Sequence, residues 1–313
     1  MKRGASEEAA DVLLASISEG TLKQYEKPIE SWWYYTQEHR LQIHECSTSS
    51  ALDFFTEIFH SGISYSTLNI YRAAISLLTA NQLGKDNIVS RYFKGVSSIN
   101  PPKPKYEETW DPQVVLTYLQ SLGENEKLSL EMITKKLATI LALISAQRVQ
   151  TLAAIELNNI NTGVEPIQIK ITSRIKTTGR NRFQPILEVP TFPDNKVLCA
   201  ATILKKYIEK TREIRAVSKE EKLFLTYKKP HHAATTQSIS RWIKDVLNES
   251  GIDTETFSTH STRHAATSAA ARRGVNLETI RKAAGWTPKS SVFAKFYNRP
   301  ITKKSIFSEA ILQ

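Results

Sequence analysis

Between residues 18 and 98 apolar side chains recur three and four positions apart, the period of a helix with one buried face. "SEGTLKQYEKPIESWWYYTQEH" follows a Ser/Thr-type cap and puts Leu22, Tyr25, Ile29, Trp32 and Trp33 at that spacing. "SSALDFFTEIFHSG" continues with Leu52, Phe55 and Phe59 and stops at Gly62. "SYSTLNIYRAAISLLTANQLG" lines up Leu68, Tyr71, Ala74, Ile75 and Leu78. The pattern predicts a helical domain of roughly four helices with an aromatic core. It breaks in "INPPKPKYEETWD", where three of the four residues 101–104 are proline; such a stretch cannot be helix interior and favours an extended segment.

Beyond the break, Asp111 caps and Pro112 opens "DPQVVLTYLQSLG". "LEMITKKLATILALISAQRVQTLAAIEL" predicts a buried helix with Leu137, Ile140, Leu141 and Ile144 on one stripe. In "IQIKITSRIKTTGRNRFQPILEVP" the period changes to two, which predicts a hairpin turning at "TTGRN". Helical patterns then resume in "LCAATILKKYIEKTREI", "TTQSISRWIKDVLNESG", "HSTRHAATSAAARRG" and "NLETIRKAAG". The expected organisation is a helical N-terminal domain over residues 1–99, a linker over 100–110, and a mainly helical domain with a small antiparallel sheet over 111–313.

Composition fits two globular domains: of 313 residues, 41% are hydrophobic and 23% charged. No apolar run is long enough to span a bilayer, and "MKRGASEEAADVLLAS" has no apolar h-region of a secretory signal. Cys46 and Cys199 alone supply neither a disulfide framework nor a four-ligand zinc site, so the expected setting is reducing and intracellular. The net charge of +11 is unevenly distributed: residues 1–100 carry −2 and residues 101–313 carry +13. That asymmetry suggests a polyanion partner for the C-terminal two-thirds, although a basic surface kept for solubility has the same signature.

Several residues of that region can do chemistry. His260 and Arg263 lie three apart in the first turn of a predicted helix, which Ser258 or Thr259 can cap and where free N–H groups and the dipole favour an anion. Alone, such a pair also reads as a surface pair. Arg148 lies between two apolar runs, with Glu156 its nearest acid in the chain, so it needs either a structural partner or an external anion. The hairpin carries Lys170, Arg174, Lys176, Arg180 and Arg182 with no acid among them, which suits a phosphate backbone or a charge-protected sheet edge. His231 and His232, in "KPHHAATT", read as loop residues, and His264 as a packing or solvent-facing residue.

Arg148, Lys176, His260, Arg263, Trp286 and Tyr297 follow one another in "AQRVQTLAAIEL", "IKTTGRNRFQPI", "HSTRHAATSAAARRGVNLETIRKAAGW" and "FAKFYNRP". In that order and wording the segment from about 106 to 300 resembles the catalytic domain of tyrosine recombinases, the phage integrase family. "QRVQTL" and "HSTRHAATSAA" look most like recombinases of eukaryotic DIRS- and Crypton-type mobile elements. The N-terminal helical segment is similar in size and character to the family's core-binding (SAM-like) domain.

The resemblance implies a site-specific DNA recombinase acting on double-stranded DNA, as a dimer on a site and a tetramer in synapsis, without metal or other cofactor and without a membrane. In a eukaryote it would act in the nucleus, otherwise in the cytoplasm or nucleoid. Tyr297 would be the nucleophile, forming a 3′-phosphotyrosyl link. A phenol, with an ordinary pKa of about 10, needs help for this at neutral pH. Arg148 and Arg263 would stabilise the phosphorane, His260 would move a proton or bind phosphate, and Lys176 would protonate the leaving 5′-oxygen. Trp286 stands where the family carries His or Trp, and its N–H can only donate. Lys170, Arg174, Arg180 and Arg182 would contact DNA. Two departures stand out: Thr151 replaces an acid three positions after the first arginine, and the interval from Trp286 to Tyr297 is slightly long. Two further readings stay open, a DNA-binding protein domesticated from such a recombinase and a type IB topoisomerase-like activity.

Overall fold

A computed structural model describes residues 6–79, 83–101, 106–176, 178–179, 184–287 and Tyr297. The chain separates into two compact units, residues 1–104 and 105–313.

Among its described residues the first unit holds five α-helices: α1 (Glu7–Leu14), α2 (Glu19–Glu38), α3 (Thr48–His60), α4 (Tyr65–Leu78) and α5 (Asn87–Ile99). Hydroxyl and carboxylate caps start the last four. Ser18, Ser47 and Ser64 accept from the N–H three residues on, and Asp86 accepts from Ile88 and Val89, meeting donors that a helix start leaves unpaired. Trp32, Tyr35, Phe54, Phe55 and Phe93 fill the core, and the Trp32 indole donates to the Ile43 carbonyl at 3.1 Å. The expected stripe on α2 is narrower than its sequence suggested. Leu22 and Trp33 face solvent, because neighbours in a helix point about 100° apart and Trp32 takes the inward position. α1 lies ahead of the expected helices and leaves Val12, Leu13 and Leu14 exposed.

In the second unit, α6 (Pro112–Ser121) begins as expected, Asp111 accepting from Gln113 N–H with Pro112 in the first turn. α7 (Leu130–Ser145) is the buried centre of the unit, packed by α9 (Ala200–Ser218) and α10 (Thr236–Glu249). Leu137, Ile140 and Leu141 are buried, but Ile144 points outward. α7 also stops sooner than its apolar run suggested. Ala146 takes a left-handed conformation (φ 48°), and a new short helix, α8 (Val149–Ala153), starts after Arg148. The sheet is a three-stranded antiparallel meander of β1 (Ile160–Asn161), β2 (Ile167–Lys170) and β3 (Ile186–Val189). β2 and β3 pair Ile167 with Val189 and Ile169 with Leu187, so those four side chains share the buried face. α11 (Ser261–Arg272) and α12 (Leu277–Ala283) close the described part of the unit. The fold is thus mainly helical with a small antiparallel sheet.

Trp110 and Thr109, at the end of the predicted linker, are buried in the second unit. Cys46 and Cys199 are both buried and form no disulfide. Among the described residues no helix is long and apolar enough to cross a membrane.

Candidate active site

α11 organises the site. Its expected caps are not used: His260 holds the N-cap position with no side-chain cap bond, while the Thr259 hydroxyl donates to the Ser240 carbonyl. The first N–H groups are also occupied. Ser261, Thr262 and Arg263 donate to the carbonyls of Ser258, Thr259 and His260, so the helix start offers side chains rather than free amides to an anion.

Arg263 is fully buried and ties three elements together. It donates from one terminal nitrogen to the Ala146 carbonyl at 2.5 Å, after α7, and from the other to the Ala284 carbonyl at 3.1 Å, after α12. This contact accounts for the left-handed Ala146, whose carbonyl is turned to meet the guanidinium. Nε of Arg263 has no hydrogen-bond partner among the described residues. Burial, joined by the charge of Arg148, lowers the guanidinium to about 10, with Tyr297 opposing. It therefore remains a cation at neutral pH.

Tyr297 sits against this helix from below. Its hydroxyl is 2.9 Å from His260 Nε2, and its carbonyl accepts from the Ser268 hydroxyl at 2.6 Å. One ring face lies flat on His264, with centroids 4.1 Å apart and planes 15° apart. Trp286 packs at 4.6 Å, and the Arg263 guanidinium lies 5.6 Å from the Tyr297 ring centre and 5.3 Å from that of Trp286. Although His260 as a residue is exposed, partial desolvation of its ring against the site and the charges of Arg263, Arg148 and Lys176 push it down to about 4. His260 is therefore neutral at neutral pH, and Nε2 can accept the phenol proton.

Arg148 stands at the start of α8, half-buried. Its side chain makes no hydrogen bond or ion pair among the described residues, yet its charge reaches both His260 and Arg263. Glu156, its nearest acid in the chain, is taken: it pairs with Lys222 at 2.8 Å and accepts from Asn159 at 3.0 Å. Lys176 is exposed, and its backbone N–H donates to Gln150 Oε1 at 3.0 Å, which anchors the lysine's loop to α8. At the position where the family carries an acid, Thr151 makes a long 3.4 Å hydrogen bond to Gln147. Gln147 in turn donates to the Ala283 carbonyl at 2.6 Å. Gly285, at φ 66°, lets this pairing close; a Cβ there would lie 3.3 Å from the Gln147 amide.

The structure therefore brings His260, Arg263, Trp286 and Tyr297 into contact, with Arg148 and Lys176 acting on them through charge. The side chains of Lys170 and Arg174 are exposed, make no hydrogen bond or ion pair among the described residues, and lie outside that contact set. Arg180, Arg182, most of the hairpin tip and residues 288–296 between Trp286 and Tyr297 lie outside the described residues. Sequence reasoning expects His264 to pack or face solvent, and it packs on the Tyr297 ring; the same reasoning gives no role to Ser268 or Gln150. The signal for the first two was present: His260, His264 and Ser268 are spaced four apart and form one stripe of α11.

A model of the phage integrase family matches residues 116–303. The chain belongs to the phage integrase family. This tyrosine recombinase shares its fold with several solved relatives at low identity. XerH site-specific recombinase in a pre-cleavage complex with difH substrate matches at TM-score 0.58 and 14% identity, over 92% of this chain and 78% of that one. A dimer of lambda integrase residues 75–356 on a COC′ core site matches at 0.55 and 15%, over 95% of each chain. The Tn1549 transposon integrase with circular intermediate DNA matches at 0.53 and 16%, over 87% and 85%. At such identities the likeness is one of fold. A search of curated proteins found no match.

The depressed His260 gives the recombinase a measurable pH signature. In the unfolded chain the imidazole takes its proton near the ordinary 6.5, in the folded protein near about 4. Between these values the unfolded state binds more protons, so this contribution to stability is complete above 6.5 and is lost as pH falls toward 4. The melting temperature of wild type is expected to fall more between pH 7.5 and 5 than that of His260→Gln. Equal falls would show that His260 is not held neutral.

Proposed function

We propose that the chain is an active site-specific DNA recombinase of a mobile element, cutting and rejoining DNA through Tyr297. The observation that carries this is the Tyr297 hydroxyl 2.9 Å from a neutral His260, beside the half-buried Arg148 and the buried Arg263 Nε, which has no hydrogen-bond partner among the described residues. A buried donor without a partner is rare, and a phosphate oxygen would satisfy it.

In the first step the Tyr297 oxygen attacks phosphorus opposite the 5′-oxygen. Its proton passes to His260 Nε2, the P–O5′ bond breaks, and the 3′-phosphate stays on the tyrosine. Lys176 supplies the proton taken by the departing 5′-oxygen; an exposed ammonium can give up a proton where an arginine cannot. Arg148 and Arg263 hold the charge that grows on the phosphorane oxygens, and each such donor contributes roughly 3 kcal/mol. A 5′-hydroxyl reverses the sequence, so the bond energy is conserved in the link and no cofactor is required.

The wording of "QRVQTL" and "HSTRHAATSAA" supports an element of the DIRS or Crypton type. The DNA-bound dimer and Holliday-junction tetramer of lambda integrase support duplex DNA as partner and assembly in twos and fours. The first unit, by its size and helical make-up, would serve as the core-binding DNA-binding domain, and Lys170, Arg174, Arg180 and Arg182 would contact the backbone. Such a protein works inside the cell, in the nucleus of a eukaryote.

The test uses duplexes selected for binding from a random library and then nicked just downstream of the cleaved phosphate, so that the short fragment bearing the released 5′-hydroxyl diffuses away. Wild type is expected to leave a detergent-stable adduct on the 3′-phosphate side, with or without chelator. Binding without adduct would support the domesticated reading. Relaxation of supercoiled plasmid irrespective of sequence would support the topoisomerase-like one.

A further inference from the structure

We propose that residues 106–110 form a clasp on the catalytic helix and that Tyr106 is a positioning residue for the nucleophile, acting through His264. The inference rests on the reading of Tyr297 as nucleophile.

Tyr297 is held at three points: its hydroxyl on His260, its carbonyl under Ser268, and its ring on His264. The first is given up when the phenol loses its proton and bonds phosphorus. Through that step the ring stack and the backbone tie are what keep the oxygen in line. His264 is itself held from the other side. The Tyr106 ring meets it edge-to-face, with centroids 5.3 Å apart and planes at 78°, and Tyr106 also packs on Phe257 at 5.1 Å. The three rings Tyr106, His264 and Tyr297 are thus a continuous series in which each fixes the next, in the geometries that aromatic quadrupoles favour.

Four residues on, the same segment grips the helix a second time. The Trp110 indole is buried and donates at 2.8 Å to the hydroxyl of Ser261, the first residue of α11, which is buried too. Both grips bear on the first turns of α11, the turns that carry His260, Arg263 and His264. Tyr106 directly follows "PPKPK", the stretch that joins the two units. A misplacement on the order of 1 Å at a reacting atom slows chemistry up to roughly 100-fold, so small shifts of this series suffice to matter.

Two measurements test the clasp. In single-turnover cleavage of the nicked duplex, Tyr106→Ala is expected to form adduct about 10-fold more slowly, with duplex Kd unchanged. Tyr106→Phe, which keeps the ring, is expected to cleave like wild type. In spectra of the protein carrying ring-labelled tyrosine, the Tyr297 signal, assigned by its loss in Tyr297→Phe, is expected to move in Tyr106→Ala and to stay in Tyr106→Phe. If Tyr106→Ala does not fold, Tyr106→Leu keeps the apolar bulk and carries the same expectations. Wild-type cleavage by the Ala or Leu variant, loss of cleavage in Tyr106→Phe equal to that in Ala, or an unmoved Tyr297 signal would each overturn the proposal. Absence of adduct from wild type itself would strike the recombinase reading instead, and the tyrosine spectra would still decide whether Tyr106 positions Tyr297.

Discussion

Tyr297→Phe is expected to abolish covalent attachment to DNA, by at least ~10⁴-fold, while duplex binding stays within about twofold. The substitution removes one oxygen and leaves the ring, so the stack on His264 at 4.1 Å, the contact with Trp286 at 4.6 Å and the Arg263 cation over the ring all remain. The Ser268 tie is to the backbone and is equally untouched. What is lost is the hydrogen bond to His260, about 1 kcal/mol of stability, and the sole atom in this arrangement that can join phosphorus. Because Phe preserves the packing, an inactive variant cannot be explained by a collapsed site, and an unchanged melting profile would confirm that. An adduct formed at wild-type yield by the Phe variant would place the nucleophile elsewhere in the chain.

Local rules carried the first level of this structure. Asp111 followed by Pro112 marks a helix start by chemistry that acts within one turn, and α6 begins there. The period of two from Ile167 onward marks the strands for the same reason. Reading failed where a distant partner overrides the local pattern. "ILALISAQRVQTLAAIEL" is apolar enough to run on as one helix, yet it breaks at Ala146. The Arg263 guanidinium, 117 positions away, claims the Ala146 carbonyl. The break is also what frees Arg148 to stand at the head of α8. Similarly, Ser258 and Thr259 are sound caps in isolation, but Thr259 is recruited by the Ser240 carbonyl and His260 takes the cap position. The candidates His260, Arg263, Trp286 and Tyr297 could be named from the chain because their chemistry is distinctive in order and spacing, and the fold brings those four into contact. Their supports, Gln150, His264 and Ser268, are ordinary residue types whose roles exist only once the chain is folded.

Arg263→Met is expected to lower adduct formation by at least ~10³-fold while changing the stability of the second unit by less than about 2 kcal/mol. Two opposing effects decide the second part. The variant loses two charge-assisted hydrogen bonds, to the carbonyls of Ala146 and Ala284, each contributing on the order of 1.5–3 kcal/mol. It also removes a cation that is fully buried with no carboxylate beside it among the described residues, and that burial lowers from its ordinary value to about 10. That shift corresponds to roughly 3 kcal/mol of destabilisation of the charged form. Met fills much of the volume, so the cavity contribution stays small, whereas Ala would add it back. On the reading proposed above, the two sides nearly cancel because Arg263 is placed for an anionic ligand rather than for a carboxylate of its own chain. A phosphate between Arg148 and Arg263 would supply that counter-charge, so wild type should gain stability on adding cognate duplex and Arg263→Met should gain less. Urea unfolding with and without duplex reads both quantities. A large loss of stability in the free Met variant, with cleavage of the residual folded fraction intact, would make Arg263 a structural tie instead of a phosphate ligand.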